Sequence, residues 1–171
     1  MKVRLLLVGE APPRLAESVL AGLPPPLIAG DVEAAAIDVE ACYDRQRAQV
    51  DAACALQQVA APEAGWLHLA LTGADLFMPA LTYVFGLAEL GGQRALASWA
   101  RLRAEEAGPG AMAVLERRML IEAVHELGHC LGLVHCPVPE CPMHRSMWPE
   151  SIDLKGHLFC PTCLASARGA V

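Results

Sequence analysis

No stretch of this 171-residue sequence comes near the run of about eighteen apolar residues that a membrane-spanning helix requires. The hydrophobic fraction is 54%, but it is broken throughout by proline, glycine and charge. Positive charge is also short: 13 Lys and Arg against 19 Asp and Glu leave a net charge of −6. That balance argues against a general nucleic-acid binder, which carries a basic face. The first residues do not read as a secretory leader either. Met1 to Glu10 has a basic start and an apolar run, but the run is too short, and Pro12-Pro13-Arg14 follows in place of a small-residue cleavage site. The segment reads as a first β-strand and the chain as a cytoplasmic monomer with no membrane or nucleic-acid partner. No internal repeat or low-complexity linker interrupts it, and its length suffices for a single domain with a substantial core. Tyrosine is scarce, with Tyr43 and Tyr83 alone.

What is present is concentrated near the C-terminus. His125-Glu126-Leu127-Gly128-His129-Cys130-Leu131-Gly132-Leu133-Val134-His135-Cys136 reads H-E-x-x-H-x-x-G-x-x-H-C. On a helix His125 and His129 project from one face a turn apart, so two imidazoles can hold one zinc ion. Glu126 stands beside the first ligand, where a carboxylate can take a proton from zinc-held water without ligating the metal. Gly132 can enter the left-handed conformation that ends a helix, and the turn brings His135 back as a third ligand. Three protein ligands with a fourth position left to water is a catalytic arrangement. Leu120, Val124, Leu127 and Leu131 form an apolar stripe on another face of the same helix.

Seven cysteines without a secretory signal favour metal over disulfides. Cys136, Cys141, Cys160 and Cys163 fall into two pairs, matching a closed structural site. Cys42, Cys54 and Cys130 are left as ordinary reduced thiols, Cys130 packed as a small hydrophobe. The H-E-x-x-H-x-x-G-x-x-H run followed by these cysteines and by Met143 resembles the metzincin metallopeptidases, and among them the archaemetzincins. The interval from Met143 to Cys160 is one residue shorter than the family pattern, a difference loops absorb. The resemblance implies a zinc-dependent peptidase, aminopeptidase-like or restricted in its cleavage, acting on a peptide or protein. It implies two zinc ions: a catalytic one on His125, His129 and His135 with Glu126 as base, and a structural one on Cys136, Cys141, Cys160 and Cys163. Met143 fits the family's methionine turn better than Met147. Thr82, Tyr83, Val84 and Phe85 look like the edge strand that pairs with an extended substrate, although an ordinary hairpin fits the same pattern. No tyrosine follows the turn, so the oxyanion falls to zinc, a backbone N–H, or His144, His157 or Lys155. A catalytically silent zinc- and peptide-binding protein is the alternative.

Upstream, Arg14 to Leu23 reads as a helix stopped by three prolines, Leu27 to Val32 as a strand, and Asp44 to Ala60 as a helix. Trp66 to Thr72 reads as a buried strand in which His68 is structural rather than a ligand, and Leu96 to Leu102 as another strand. Gly108-Pro109-Gly110 breaks the chain before a long helix from Ala111 to Leu131. This alternation gives an α/β or α+β fold. The resemblance makes it a twisted mixed sheet with helices. The expected organisation is one domain, 1–171: an N-terminal part, 1–135, ending in the active-site helix, and a small irregular part, 136–171, that needs a metal staple.

Overall fold

The computed structural model describes residues 1–12, 14–104, 108 and 110–169; Pro109 of the expected break lies outside them. In chain order the elements are β1 (Lys2–Val8), α1 (Leu15–Gly22), β2 (Ile28–Ala34), β3 (Tyr43–Asp44), β4 (Gln49–Asp51), α2 (Ala52–Gln57) and β5 (Trp66–Thr72). There follow β6 (Leu76–Phe77), β7 (Gly86–Ala88), β8 (Arg94–Ser98), α3 (Ala111–Cys130), α4 (Pro149–Ile152) and α5 (Pro161–Gly169). No described helix is long and apolar enough to cross a membrane.

The main sheet has the order β2-β1-β5-β8-β7, parallel except for β7, which runs antiparallel to β8 at one edge. Side chains alternate between its faces with a period of two. Val3 and Leu5 of β1, Leu67, Leu69 and Leu71 of β5, and Ala95 and Ala97 of β8 face α1 and α3. Leu6, Val8, Ala70 and Leu96 face the layer built around α2. Strands buried on both faces read as apolar runs rather than alternations, which is how Leu5-Leu6-Leu7 and Leu67 to Leu71 appear in the sequence. The result is a mixed α/β sheet between two layers, with α3 laid across β7 and β8.

Four expectations need correction. Asp44 to Ala60 is not one helix. The Asp44 carboxylate accepts from the N–H groups of Gln46 and Arg47, Ala48 takes φ 55°, and the chain forms the β3–β4 hairpin. Asp51 then caps α2 by accepting from the N–H groups of Ala53 and Cys54, so the helix begins only at Ala52. That hairpin folds Cys42 back onto α2, where it forms a disulfide with Cys54 across a Cα separation of 5.6 Å; these are not separate reduced thiols. The strand expected from Leu96 to Leu102 runs from Arg94 and stops at Ser98, whose hydroxyl accepts from Ala100 N–H and turns the chain. Finally, Thr82, Tyr83, Val84 and Phe85 are not the edge strand. Only Val84 makes an isolated bridge, to Leu76, and the edge strand is β7, beginning at Gly86.

The segment after His135 carries more regular structure than its prolines suggest. Pro161 occupies the first position of α5, where its missing N–H costs nothing. Cys141, Met143, Ile152, Phe159, Cys163 and Ala167 pack into the same apolar cluster as α3 and the sheet. Arg118 of α3 clasps Asp153 with two hydrogen bonds of 2.9 and 2.6 Å, tying the segment down from outside.

Candidate metal centre and cleft

α3 delivers His125, Glu126 and His129 and then ends in a paired-bond turn. Gly132 takes φ +79°, its N–H donates to His129 O, and Leu133 N–H donates to Gly128 O. These are the two bonds of a Schellman cap, which requires a residue free to adopt positive φ. The chain reverses and His135 returns to the other two imidazoles, with ring centroids 5.3 and 5.2 Å from those of His125 and His129.

The ring orientations are fixed from behind. His125 Nδ1 lies 2.7 Å from the carbonyl of Pro142, and His129 Nδ1 lies 2.8 Å from that of Leu133. A carbonyl only accepts, so each Nδ1 carries the proton and each Nε2 presents a lone pair. Those two Nε2 atoms are 3.1 Å apart. Two lone pairs facing each other repel unless a cation lies between them, and tetrahedral zinc would set them about 3.3 Å apart. Burial, followed by the neighbouring His129, holds His125 well below the ordinary histidine pKa and so in the neutral, ligating form. His129 and His135 are shifted in the same direction, also chiefly by desolvation.

The four cysteines converge as well. The thiols of Cys136, Cys141, Cys160 and Cys163 lie within 4.8 Å of one another, as do the three imidazole donors. Cys136 Sγ and Cys160 Sγ are 3.8 Å apart, and tetrahedral thiolate zinc requires about 3.8 Å. Both donor sets therefore fit zinc. Because His135 and Cys136 are consecutive, the two sets share a stretch of backbone.

Glu126 is 5% exposed, and its carboxyl is raised well above the usual range by burial and then by Glu122. A side chain on Gly86 would put Cβ 2.6 Å from Glu126 Oε1 and 2.6 Å from Leu96 O, so the bare backbone of β7 makes room for this carboxylate. Gly128 does the same for Met143, whose sulfur packs directly against it. Met143 is fully buried, whereas Met147 is half-exposed on the cleft rim. Neither glycine role is visible locally, because each depends on a residue distant in sequence.

The cleft encloses about 560 Å³ between the 81–90 segment, α3 and residues 145–147. Thr82, Tyr83, Val84 and Phe85 form part of one wall. Tyr83 Oη donates to Met147 O at 2.8 Å, bridging the two walls. Glu122 also lines the cavity; burial pushes its carboxyl up to about 7, partly offset by Lys155. Of the side chains considered for oxyanion contact, His144 and His157 do not line the cavity. Lys155 is 2% exposed, donates to the carbonyls of Pro142 and His144, and does not line the cavity. His68 stays in β5, its Nδ1 2.8 Å from Ala60 O.

Three converging imidazoles at the floor of a cleft, with an acidic side chain beside them and a sheet edge along it, fit the zinc metallopeptidases. Comparison with known proteins narrows the class. The model of peptidase family M54 matches residues 24–168. The archaemetzincin of Methanocaldococcus jannaschii is 42% identical over 123 residues, spanning 71% of this chain and 68% of that protein. The archaemetzincin of Halobacterium salinarum is 33% identical over 168 residues, spanning 95% and 97%. The crystal structure of archaemetzincin from Archaeoglobus fulgidus complexed with malonate superposes with a TM-score of 0.83 at 30% identity, covering 97% of this chain and 99% of that one. The chain belongs to peptidase family M54, the archaemetzincins. As a peptidase it acts on peptides or proteins.

Proposed function

We propose that Glu126 is the proton carrier of peptide hydrolysis, beside a catalytic zinc held by His125, His129 and His135. Cys136, Cys141, Cys160 and Cys163 would hold a second, structural zinc. The observation that carries this reading is the convergence of two histidine lone pairs, 3.1 Å apart, in the cleft lined by Glu126. When bound, the catalytic ion supplies Lewis acidity that acidifies water towards neutral pH and polarises the scissile carbonyl. Glu126 accepts the proton of that water and later returns it to the leaving amine.

The peptide would lie extended along the free edge of β7, adding a strand to the sheet. Thr82, Tyr83, Val84 and Phe85 would wall the cleft rather than pair with substrate. The Tyr83–Met147 bridge favours short or terminal substrates, hence aminopeptidase-like cleavage. The same bridge supports a second reading, a zinc- and peptide-binding protein that turns over one narrow substrate or none.

The test is cleavage of a mixed peptide library by wild type and by Glu126→Ala, with zinc per chain measured for each. We expect two zinc ions in both proteins and cleavage by wild type alone. No cleavage by a fully loaded wild type selects the second reading, and equal cleavage by Glu126→Ala removes Glu126 from the mechanism.

A further inference from the structure

Two of the seven cysteines stand outside the metal chemistry. Cys136, Cys141, Cys160 and Cys163 converge on one another, and Cys130 is a buried thiol that desolvation pushes up to about 12, which leaves it protonated and unreactive. Cys42 and Cys54 are instead joined in a disulfide. The proposed thiolate cluster needs surroundings that keep thiols reduced, and in such surroundings a disulfide is chiefly a transient or redox-sensing bond.

That bond stands behind the outer wall of the cleft. Cys42 precedes β3 and Cys54 lies in α2, so the disulfide fastens the start of the β3–β4 hairpin to the helix that follows it. The hairpin ladder is only Tyr43 with Val50 and Asp44 with Gln49, and two strands so short do not hold together alone. Its far end carries the wall. Arg47 Nη1 donates to Leu81 O at 3.1 Å, with the guanidinium carbon 4.4 Å from the centre of the Phe77 ring. Gln49 Nε2 donates to Thr82 O at 3.1 Å and to Asp75 Oδ2 at 3.0 Å. Leu81 and Thr82 begin the 81–90 segment that lines the cleft. A covalent bond, a short hairpin and two side-chain hydrogen bonds thus run in series from the sulfurs to the wall.

We propose that Cys42–Cys54 is a redox modification site through which a dithiol reductant sets the order of the cleft wall. Cys42 is 6% exposed and Cys54 is half-exposed, so an incoming thiolate meets Cys54 Sγ first. It bonds to that sulfur, the Sγ–Sγ bond breaks, and Cys42 leaves with the electron pair as a thiolate. Gln58 Nε2, 3.1 Å from Cys42 Sγ, offers the leaving sulfur an N–H donor. The second thiolate of the reductant then attacks the reductant's own sulfur in the mixed disulfide and expels Cys54. The protein gains two electrons and two protons as two thiols, and the dithiol becomes a cyclic disulfide. The freed hairpin frays from Cys42, Arg47 loosens its hold on Leu81, and an incoming peptide must order the wall as it binds. None of the donors of the metal centre lies on the hairpin, so substrate affinity changes while the chemical step does not. The effect on affinity rests on the peptidase reading; the loosening of the wall does not.

The experiment equilibrates the zinc-loaded protein in buffers of reduced and oxidised dithiothreitol, with zinc per chain measured before and after. Alkylation and mass spectrometry count free thiols at Cys42 and Cys54. Amide hydrogen exchange follows Leu81 and Val84, whose N–H groups donate to Met78 O and Leu76 O. KM and kcat are taken on a peptide cleaved from the library. On reduction, both cysteines should become alkylated in the folded protein and exchange at the two amides should quicken about 10-fold. KM should rise roughly 3- to 10-fold with kcat unchanged, and reoxidation should restore both. The Cys42→Ser, Cys54→Ser double variant should hold the fast-exchange, high-KM state in either buffer. Arg47→Met should reproduce part of the change in the oxidised protein, with the sulfurs untouched. A disulfide that resists the dithiol until the protein unfolds overturns the site, as does reduction that leaves exchange or KM unchanged. Faster exchange with no peptide cleaved in either state supports the redox site and overturns the peptidase reading instead.

Discussion

Lys155 offers the sharpest test of how the metal centre is supported. Its ammonium is buried between the methionine turn and α3, donating to the Pro142 and His144 carbonyls with Glu122 as counter-charge 3.8 Å away. Pro142 O is also the acceptor for His125 Nδ1, so one carbonyl is shared by the lysine and a proposed metal ligand. Lys155→Met keeps the volume and removes the charge. It strands Glu122 and frees two buried carbonyls, a loss that for buried pairs runs to about 3–5 kcal/mol. Protonation of Glu122, whose carboxyl already sits near 7, relieves part of that cost, so the lower end is the better expectation. At about 2–4 °C per kcal/mol for a domain of this size, Tm should fall by roughly 6–12 °C. Because the Pro142 carbonyl is no longer pinned, zinc affinity at the histidine site should drop about 10- to 100-fold. The assay is thermal unfolding by circular dichroism at fixed free zinc, since bound metal contributes to stability, with zinc competition alongside. Adding Glu122→Gln should recover part of the loss. A change below about 1 kcal/mol, together with unchanged zinc affinity, would refute the reasoning.

Three further outcomes are expected. Gly86→Ala drives Cβ into Glu126 Oε1 and Leu96 O; a shift of about 1 Å in the carboxylate costs on the order of 100-fold in turnover, with zinc content retained, and full activity would contradict the close approach. The hydrogen-bonded Arg118 guanidinium holds Asp153 below the ordinary aspartate range, so its contribution is complete above about pH 4 and is lost as pH falls through the lowered value. Asp153→Asn should therefore unfold with a flatter acid limb in Tm against pH, by roughly 1 kcal/mol at most because the carboxylate is 38% exposed, and an unchanged limb would remove Asp153 from the acid transition. Cys160→Ser should release metal from the cysteine cluster and lower affinity at the histidine site through the His135–Cys136 link, whereas unchanged histidine-site affinity would separate the two centres.

The part of this architecture legible in the sequence is the part whose cause is local. β1 and β5 announce themselves because a strand buried on both faces must be apolar throughout, and α3 because its stripe, its histidines and Gly132 follow one helical register. The hairpin at 43–51 was hidden by good helix formers, Arg45 to Gln49, overridden by an Asp44 turn and an Asp51 cap only a few residues apart. Thr82 to Phe85 have strand propensity and resemble the family's edge strand, but the edge strand is not there. It lies instead at Gly86, whose propensity is poor, because only a residue without Cβ can pass between Leu96 O and Glu126. Spacing marks the candidate metal donors but does not show what aims them, since the partners of His125 and Lys155 are backbone carbonyls that any residue supplies.

Those carbonyls define what the C-terminal segment contributes. Leu133 O sets the tautomer of His129 from the turn that Gly132 permits, and Pro142 O sets that of His125 from beside Met143. Cys136 N–H donates to Met143 O, and His144 Nδ1 lies 2.9 Å from Cys136 O, so the first thiolate donor and the methionine turn are bound to each other directly. The cysteine cluster, the methionine turn and two of the three imidazoles thus form one hydrogen-bonded unit, closed on the inner side by Lys155. A segment too small to build its own core packs into the main core and, under the proposed two-zinc reading, would gain further rigidity from a metal staple, rigidity that holds two ring nitrogens a fixed distance apart. Loosening any member of this unit should therefore register first as lost metal affinity at the histidines, before the main sheet loses stability.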